Sequence, residues 1–352
     1  MSTGDRAVKR ERMLGVLAAH PADRLALTSH GAVSWYLDGA RTHVSLAGDP
    51  VLAVLIDADG DTVITTGSER ARLEAEELPD GIRVREVDWQ TPLQSAWAGE
   101  TGVLAEAAVS AELRAARAQL LPAELERYRG LARETAAVLT DVLGAAQPDH
   151  SEYAVTAAVG ARLLERGIDP VVLLAAGRSR LGHRHPLPST AALGDRAMVV
   201  VCARRHGLIV NLTRWLRFGE PDGAETDATT RILEVEAAYF AATRPGAGVS
   251  AALAAGSAAY GRHGFDPDEW RRHHQGGPAG YNGRDPRAVA DLPDLVRSGQ
   301  AFAWNPSAPG AKVEDTVLIG AGATHPVEVL TVDPRWPTTL VHGLRRPAEL
   351  RR

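Results

Sequence analysis

The segment His273-His274-Gln275-Gly276-Gly277-Pro278-Ala279-Gly280-Tyr281 sets two imidazoles beside three glycines. Imidazole takes and returns protons near neutral pH because its unperturbed pKa is ~6.5. Clustered glycines either let backbone approach a ligand closely or mark a tight bend. A second histidine-bearing stretch is Gly182-His183-Arg184-His185-Pro186, and the chain has a single cysteine, Cys202. Strand alternation puts Val200 and Cys202 on one face. A thiolate there, helped by His185 or His206, would be a nucleophile. A lone cysteine in the apolar run 198–203 is more often just a small buried apolar residue.

The elements that must position these groups belong to a chain of 352 residues, 45% hydrophobic and 24% charged. That is enough to bury a large core and to form about two domains. A formal net charge of −5 gives no basic footprint for nucleic acid and no broad field for anionic membranes, so the expected partner is a small molecule. One cysteine excludes an internal disulfide framework and cysteine-rich zinc sites. No apolar run approaches the ~18–20 residues of a membrane span, and residues 1–12 are polar without a signal-peptide core. Cytoplasmic residence is the expectation.

Residues 1–119 read as a small α/β domain. The apolar runs 51–56 and 62–66 flank Asp57-Ala58-Asp59-Gly60-Asp61, a hairpin signal, and residues 25–28 read as a further strand. From residue 120 the pattern turns helical: Leu131, Val138, Leu139, Val142 and Leu143 share a face until Gly144 and Pro148. Ser151 caps a second helix that stops at Gly167. Strand runs at 171–175, 197–203 and 208–212 precede helices at 228–243 and 249–262, and late strands fall at 301–304, 313–319 and 327–332. Residues 120–352 thus read as a mixed sheet covered by helices, α+β in class.

The glycine-rich segment resembles the His-x-x-Gly-His-Gly-x-Gly signature of the methionine aminopeptidase, prolidase and creatinase superfamily, the pita-bread fold. Its first His falls on His273, its Gly on Gly276, and its metal-binding His on Gly277. Other anchors recur in the family's order: Pro148 to Glu152, His185-Pro186, Gly194-Asp195, Thr213-Arg214, Arg244-Pro245-Gly246 and Glu314-Asp315-Thr316. Ser34-Trp35-Tyr36-Leu37-Asp38-Gly39 resembles a segment of the creatinase N-terminal domain. The resemblance implies a creatinase N-terminal-like domain over 1–119 and a pita-bread domain over 120–352.

Family peptidases hold two divalent ions with two Asp, one His and two Glu, because such cations need several anionic donors. The resemblance sets those five positions on Val200, Asn211, Gly277, Asn305 and Glu314, so only Glu314 keeps a carboxylate. It therefore implies no catalytic metal and no cofactor. It also implies, after creatinase, that His185 transfers protons, that His273 contacts substrate, and that Glu314 acts as acid, base or anchor with a pKa raised by burial. Arg284 would take a substrate carboxylate, while Asn211, Asn305, Tyr281 and Cys202 line the site. Arg41 would reach a partner's site in a homodimer.

Three functions follow from the resemblance. One is a metal-independent, creatinase-like enzyme acting on a C–N bond of a small polar amino-acid-like molecule. The others are a metal-dependent Xaa-Pro aminopeptidase or dipeptidase, and a non-catalytic pseudo-peptidase that binds a ligand or partner.

Overall fold

The computed structural model describes residues 3–320 and 326–352. It divides into two compact units, Met1–Leu125 with His206–Leu208, and Glu126–Arg205 with Ile209–Arg352. Among the described residues no helix is long and apolar enough to cross a membrane.

The first unit carries α1 (Thr3–Ala18), β1 (Arg24–Leu27), α2 (His30–Tyr36), β2 (Leu52–Asp57), β3 (Gly60–Thr66), α3 (Gly67–Glu76), β4 (Arg83–Val87), β5 (Val103–Ala105) and α4 (Ser110–Ala118). Its sheet runs β4-β3-β2-β1-β5. The expected hairpin is β2–β3, antiparallel with Asp57 opposite Gly60. Asp57 Oδ1 accepts from the amides of Asp59 and Gly60, the local bond that makes an Asp-Gly turn. Helices α1, α3 and α4 carry no strong sequence signal and went unread. Their polar faces dominate, as in α3, where Leu73 is buried and most neighbours are charged.

The second unit begins in α5 (Pro122–Ala145) and continues with α6 (Glu152–Leu164), β6 (Asp169–Ala176), β7 (Arg196–Arg205), β8 (Leu208–Arg217), α7 (Gly223–Ala242) and α8 (Val249–Arg262). Then follow β9 (Gly276–Ala279), β10 (Ala301–Trp304), β11 (Ser307–Ala308), β12 (Ala311–Lys312), β13 (Val317–Ile319), β14 (Val327–Val329), β15 (Thr338–Val341), β16 (Leu344–Pro347) and β17 (Leu350–Arg351). Two four-stranded sheets, β17-β8-β7-β6 and β14-β13-β10-β9, carry the site. The main core packs α7 and α8 against Phe302, Trp304, Val317 and Ile319.

The late strand expected over 313–319 is confined to β13, because the stretch before it is held to β8 by a threonine hydroxyl and one main-chain bond in place of a ladder. Thr316 Oγ1 accepts from the Asn211 amide at 2.7 Å and donates to the Asn211 carbonyl at 3.1 Å. The Thr213 amide donates to the Glu314 carbonyl at 2.9 Å. Buried ion pairs lock the neighbouring residue: Asp315 meets Arg214 at 2.9 Å and Arg346 at 3.0 Å, and Arg346 also forks onto Glu236.

Ser151 caps α6, its Oγ accepting from the Ala154 amide. The next residue, Glu152, is fully buried and clamps the loop between β6 and β7. Its carboxylate accepts from the Gly177 amide at 2.8 Å, from the Ser189 amide at 2.9 Å and hydroxyl at 2.8 Å, and from Arg180. Both ends of the stretch bearing His185 are thereby tied to one helix start. Glu152→Ala leaves these buried donors without an acceptor and should destabilise the chain by about 3 kcal/mol or more. Urea denaturation checks this, and an unchanged midpoint would refute the clamp.

Candidate functional site

Gln275 is the hub that fixes the paired histidines. Its Nε2 donates to the carbonyls of Trp270 and His273, and its Oε1 accepts from the hydroxyls of Tyr239 and Tyr260. Strand β9 then runs antiparallel to β10, with Gly276 opposite Trp304 and Gly277 opposite Ala303. Gly276 has φ +94, and a Cβ there would lie 2.0 Å from the Ala303 carbonyl oxygen. Gly277 has φ +134, and its Cβ would meet the Ala288 amide at 2.8 Å. The glycines therefore serve close strand approach. Position 277 has no room for an imidazole on this backbone.

A cavity of about 590 Å³ opens beside β6, β7 and β8. One wall is apolar, with Val171 to Leu174, Leu187, Val200 and Cys202. Val200 packs with Leu174, Met198 and Trp215. The other wall is polar: His185, His274, Asn211, Asn305, Glu314, Arg284, Arg287 and Lys312. Three cationic side chains thus face one carboxylate.

That carboxylate is fully engaged. Glu314, 2% exposed, lies 2.5 Å from Arg284 and 3.6 Å from Lys312, and accepts from the Thr213 hydroxyl at 3.1 Å. Burial alone would raise its pKa, but Lys312 and Arg284, with the hydrogen bonds from Arg284 and Thr213, outweigh it and hold the acid down to about 2. The expectation of a raised pKa is corrected: Glu314 is an ionised anchor for cations, with no proton to give near neutral pH.

Asn211 is completely buried, and neither its Oδ1 nor its Nδ2 has a hydrogen-bond partner among the described residues. Asn305 is 3% exposed with its Oδ1 likewise unpaired. An unsatisfied buried polar group costs about 1–3 kcal/mol. Two such amides lining a cavity suit a polar ligand that pairs with them.

His185 stands exposed at the cavity wall, and its Nε2 lies 3.0 Å from Nε2 of His273. Burial first, then Lys312 and Arg287, lower its pKa below the usual histidine value, with Glu314 opposing. His273 is buried, its pKa pushed to about 2 by burial and by Lys312. His274 lines the cavity, with its pKa lowered to about 4 by burial, Arg284 and Arg287. The sequence reading favoured His273 as the inward ring of the pair. In the structure His274 faces the cavity and His273 backs His185.

Other expected site residues sit differently. Tyr281 is buried and absent from the cavity lining. Arg284 lines the cavity but is committed to Glu314 and to the Gly283 carbonyl, so it is a countercharge before it is a ligand anchor. Cys202 lines the cavity, and burial pushes its thiol up to about 12, far from the thiolate a nucleophile needs. Arg41, in the first unit, pairs with Glu77 and Glu76. Lys312 and Arg287 went unread. Lys312 stands two residues before Glu314, the spacing that brings side chains to one side of an extended segment. Arg287 carries no comparable signal.

Residues 126–321 match the model of Metallopeptidase family M24. No curated protein matches the chain in sequence. Its fold is similar to dipeptidase PepE from Mycobacterium ulcerans, at 18% identity and a TM-score of 0.77, covering 95% of this chain and 97% of that one. It is also similar to the prolidase from Pyrococcus horikoshii OT3, at 15% identity and 0.74, covering 93% and 99%. The N-terminal domain of a FACT complex subunit from Cicer arietinum follows at 14% and 0.66, covering 93% and 95%. These likenesses establish the α+β pita-bread fold with a preceding N-terminal domain. With more than half of its residues matched by the family model, the chain belongs to metallopeptidase family M24, in the creatinase, prolidase and aminopeptidase P superfamily.

Proposed function

We propose that the protein is a metal-independent hydrolase that cleaves a C–N bond in a small amino-acid-like molecule carrying an anionic group. The observation that carries this reading is the cavity's charge: unpaired amides and three cations surround a single carboxylate that is already neutralised. The family's two ions do not fit these donors. Val200 and Gly277 offer none, Asn211 and Asn305 offer neutral amides, and Glu314 is held by Arg284 and Lys312. One carboxylate cannot hold two dications against water.

In this reading Arg287 and Lys312 attract a substrate carboxylate, Asn211 and Asn305 pair with its polar backbone, and the Val171 to Leu174 wall takes its apolar part. His185, neutral near pH 7, removes a proton from the attacking water and returns it to the leaving nitrogen. His273 positions the His185 ring. A homodimer, with Arg41 exchanged from Glu76 and Glu77 to a partner's ligand, and cytoplasmic residence complete the proposal.

A non-catalytic role in binding a ligand or partner is the second reading, in keeping with the fold likeness to a domain of a protein-complex subunit. A metal-dependent dipeptidase is the third, favoured by the likeness to PepE and the prolidase. Chelator treatment separates the third from the first. Hydrolysis should survive exhaustive dialysis against a chelator, whereas two tightly bound ions per chain with activity lost on their removal would overturn the proposal.

His185→Ala separates the first reading from the second. It should lower kcat/KM by about 10²–10⁴-fold. Because the folded pKa of His185 lies below ~6.5, its base form persists above that range, and activity should fall only as pH drops through the lowered value. Turnover indifferent to His185→Ala, or an acid limb above pH ~6.5, would remove His185 as the proton carrier.

A further inference from the structure

We propose that His185, His273 and His274 together bind one divalent d-block ion, using imidazole donors alone. Their ligating nitrogens all lie within 4.8 Å of one another. Ring centroids are 4.8 Å apart for His185 and His273, 5.7 Å for His185 and His274, and 4.5 Å for the adjacent pair. Neighbours on an extended chain ordinarily point to opposite sides, yet these two rings stack on the same side. Two nitrogens bound at ~2.0–2.1 Å to a tetrahedral ion stand roughly 3.3 Å apart. The 3.0 Å between the Nε2 atoms of His185 and His273 is already close to that. Exposed His185 can make most of the remaining movement.

The far nitrogens of the two adjacent rings leave the near ones uncommitted. Nδ1 of His273 and Nδ1 of His274 are buried with no hydrogen-bond partner among the described residues, and His273 is only 7% exposed. A neutral imidazole always has one proton-free nitrogen. With no hydrogen bond holding Nδ1, each ring can carry its proton there and leave Nε2 free for the ion, with no net proton loss.

The surrounding charge decides which ion. Lys312, Arg284 and Arg287 repel any cation, and among the described residues Glu314 is the one carboxylate in the cavity wall that offsets them. Hard ions such as Mg²⁺ and Ca²⁺ depend on anionic oxygen donors and find none free. Zn²⁺, Co²⁺, Ni²⁺ and Cu²⁺ bond to imidazole nitrogen strongly enough to tolerate the field, Cu²⁺ most of all. The same field favours an anion at the open coordination position. Resting on the reading of His185 as proton carrier, the ion and the transferred proton compete for one imidazole, so the bound ion inhibits hydrolysis.

Co²⁺ titrated into the chelator-stripped full chain, without substrate, tests the site through its visible d–d absorption. The expected result is saturation at one ion per chain with the intense bands of a four- or five-coordinate centre. Binding should weaken at least tenfold in His274→Ala and in His273→Ala. If His273→Ala fails to fold, as judged by circular dichroism, the less buried His274→Ala carries the test. No such band up to 1 mM, or bands unchanged in both histidine variants, would overturn the proposal. Because binding is read without turnover, failure of the hydrolase reading leaves the site standing. Intact Co²⁺ binding without inhibition would overturn only the competition at His185.

Discussion

A single buried carboxylate, Glu314, held between an ammonium, a guanidinium and a hydroxyl, sets the electrical character of the cavity. It is the charge that allows Lys312 to be buried and Arg284 to be nearly so, since an unpaired buried cation is strongly disfavoured. In return, the cations keep Glu314 ionised. The main-chain tie from Thr213 to Glu314 and the hydroxyl tie from Thr316 to Asn211 hold this charge against β8. Behind it, Arg214, Arg346 and Glu236 fix Asp315. The Glu-Asp-Thr motif is thus three neighbouring side chains, each with its own set of partners, that together fix this segment against β8.

Much of the fold was legible because the elements that bury a face announce it by period. The long α5, the Ser151-capped α6 and the β2–β3 hairpin all carry apolar spacing together with a cap or turn residue. What stayed hidden were elements held by tertiary context: charged α3, the short strands β15 to β17, and a segment before β13 satisfied by threonine hydroxyls in place of a ladder. The site divides the same way. His185, Asn211, Asn305 and Glu314 were found because each sits in a motif. Arg287 was not, because loop geometry decides its exposure, and His274 was named but ranked behind His273, because ring orientation decides which of the pair meets the cavity. The raised pKa expected for Glu314 failed because burial was weighed without Lys312, whose ammonium reverses its sign.

On the proposed reading the replacements around the cavity form one coupled change in charge. A carboxylate at position 200 would press against Leu174, Met198 and Trp215, and without an ion to neutralise it the desolvation cost would fall on the fold. Losing the ions therefore removes the reason for the acids, and Val200, Asn211 and Asn305 are the inexpensive occupants that remain. Positive charge for holding a substrate then has to come from side chains, and Lys312, Arg284 and Arg287 supply it. The backbone fixes the exchange: at Gly277 the left-handed φ and the nearby Ala288 amide exclude a histidine. On this reading a donor restored at 200 would sit among apolar side chains and one at 277 would clash, so the two positions that contribute least to the polar wall are also the ones least able to regain an ion ligand.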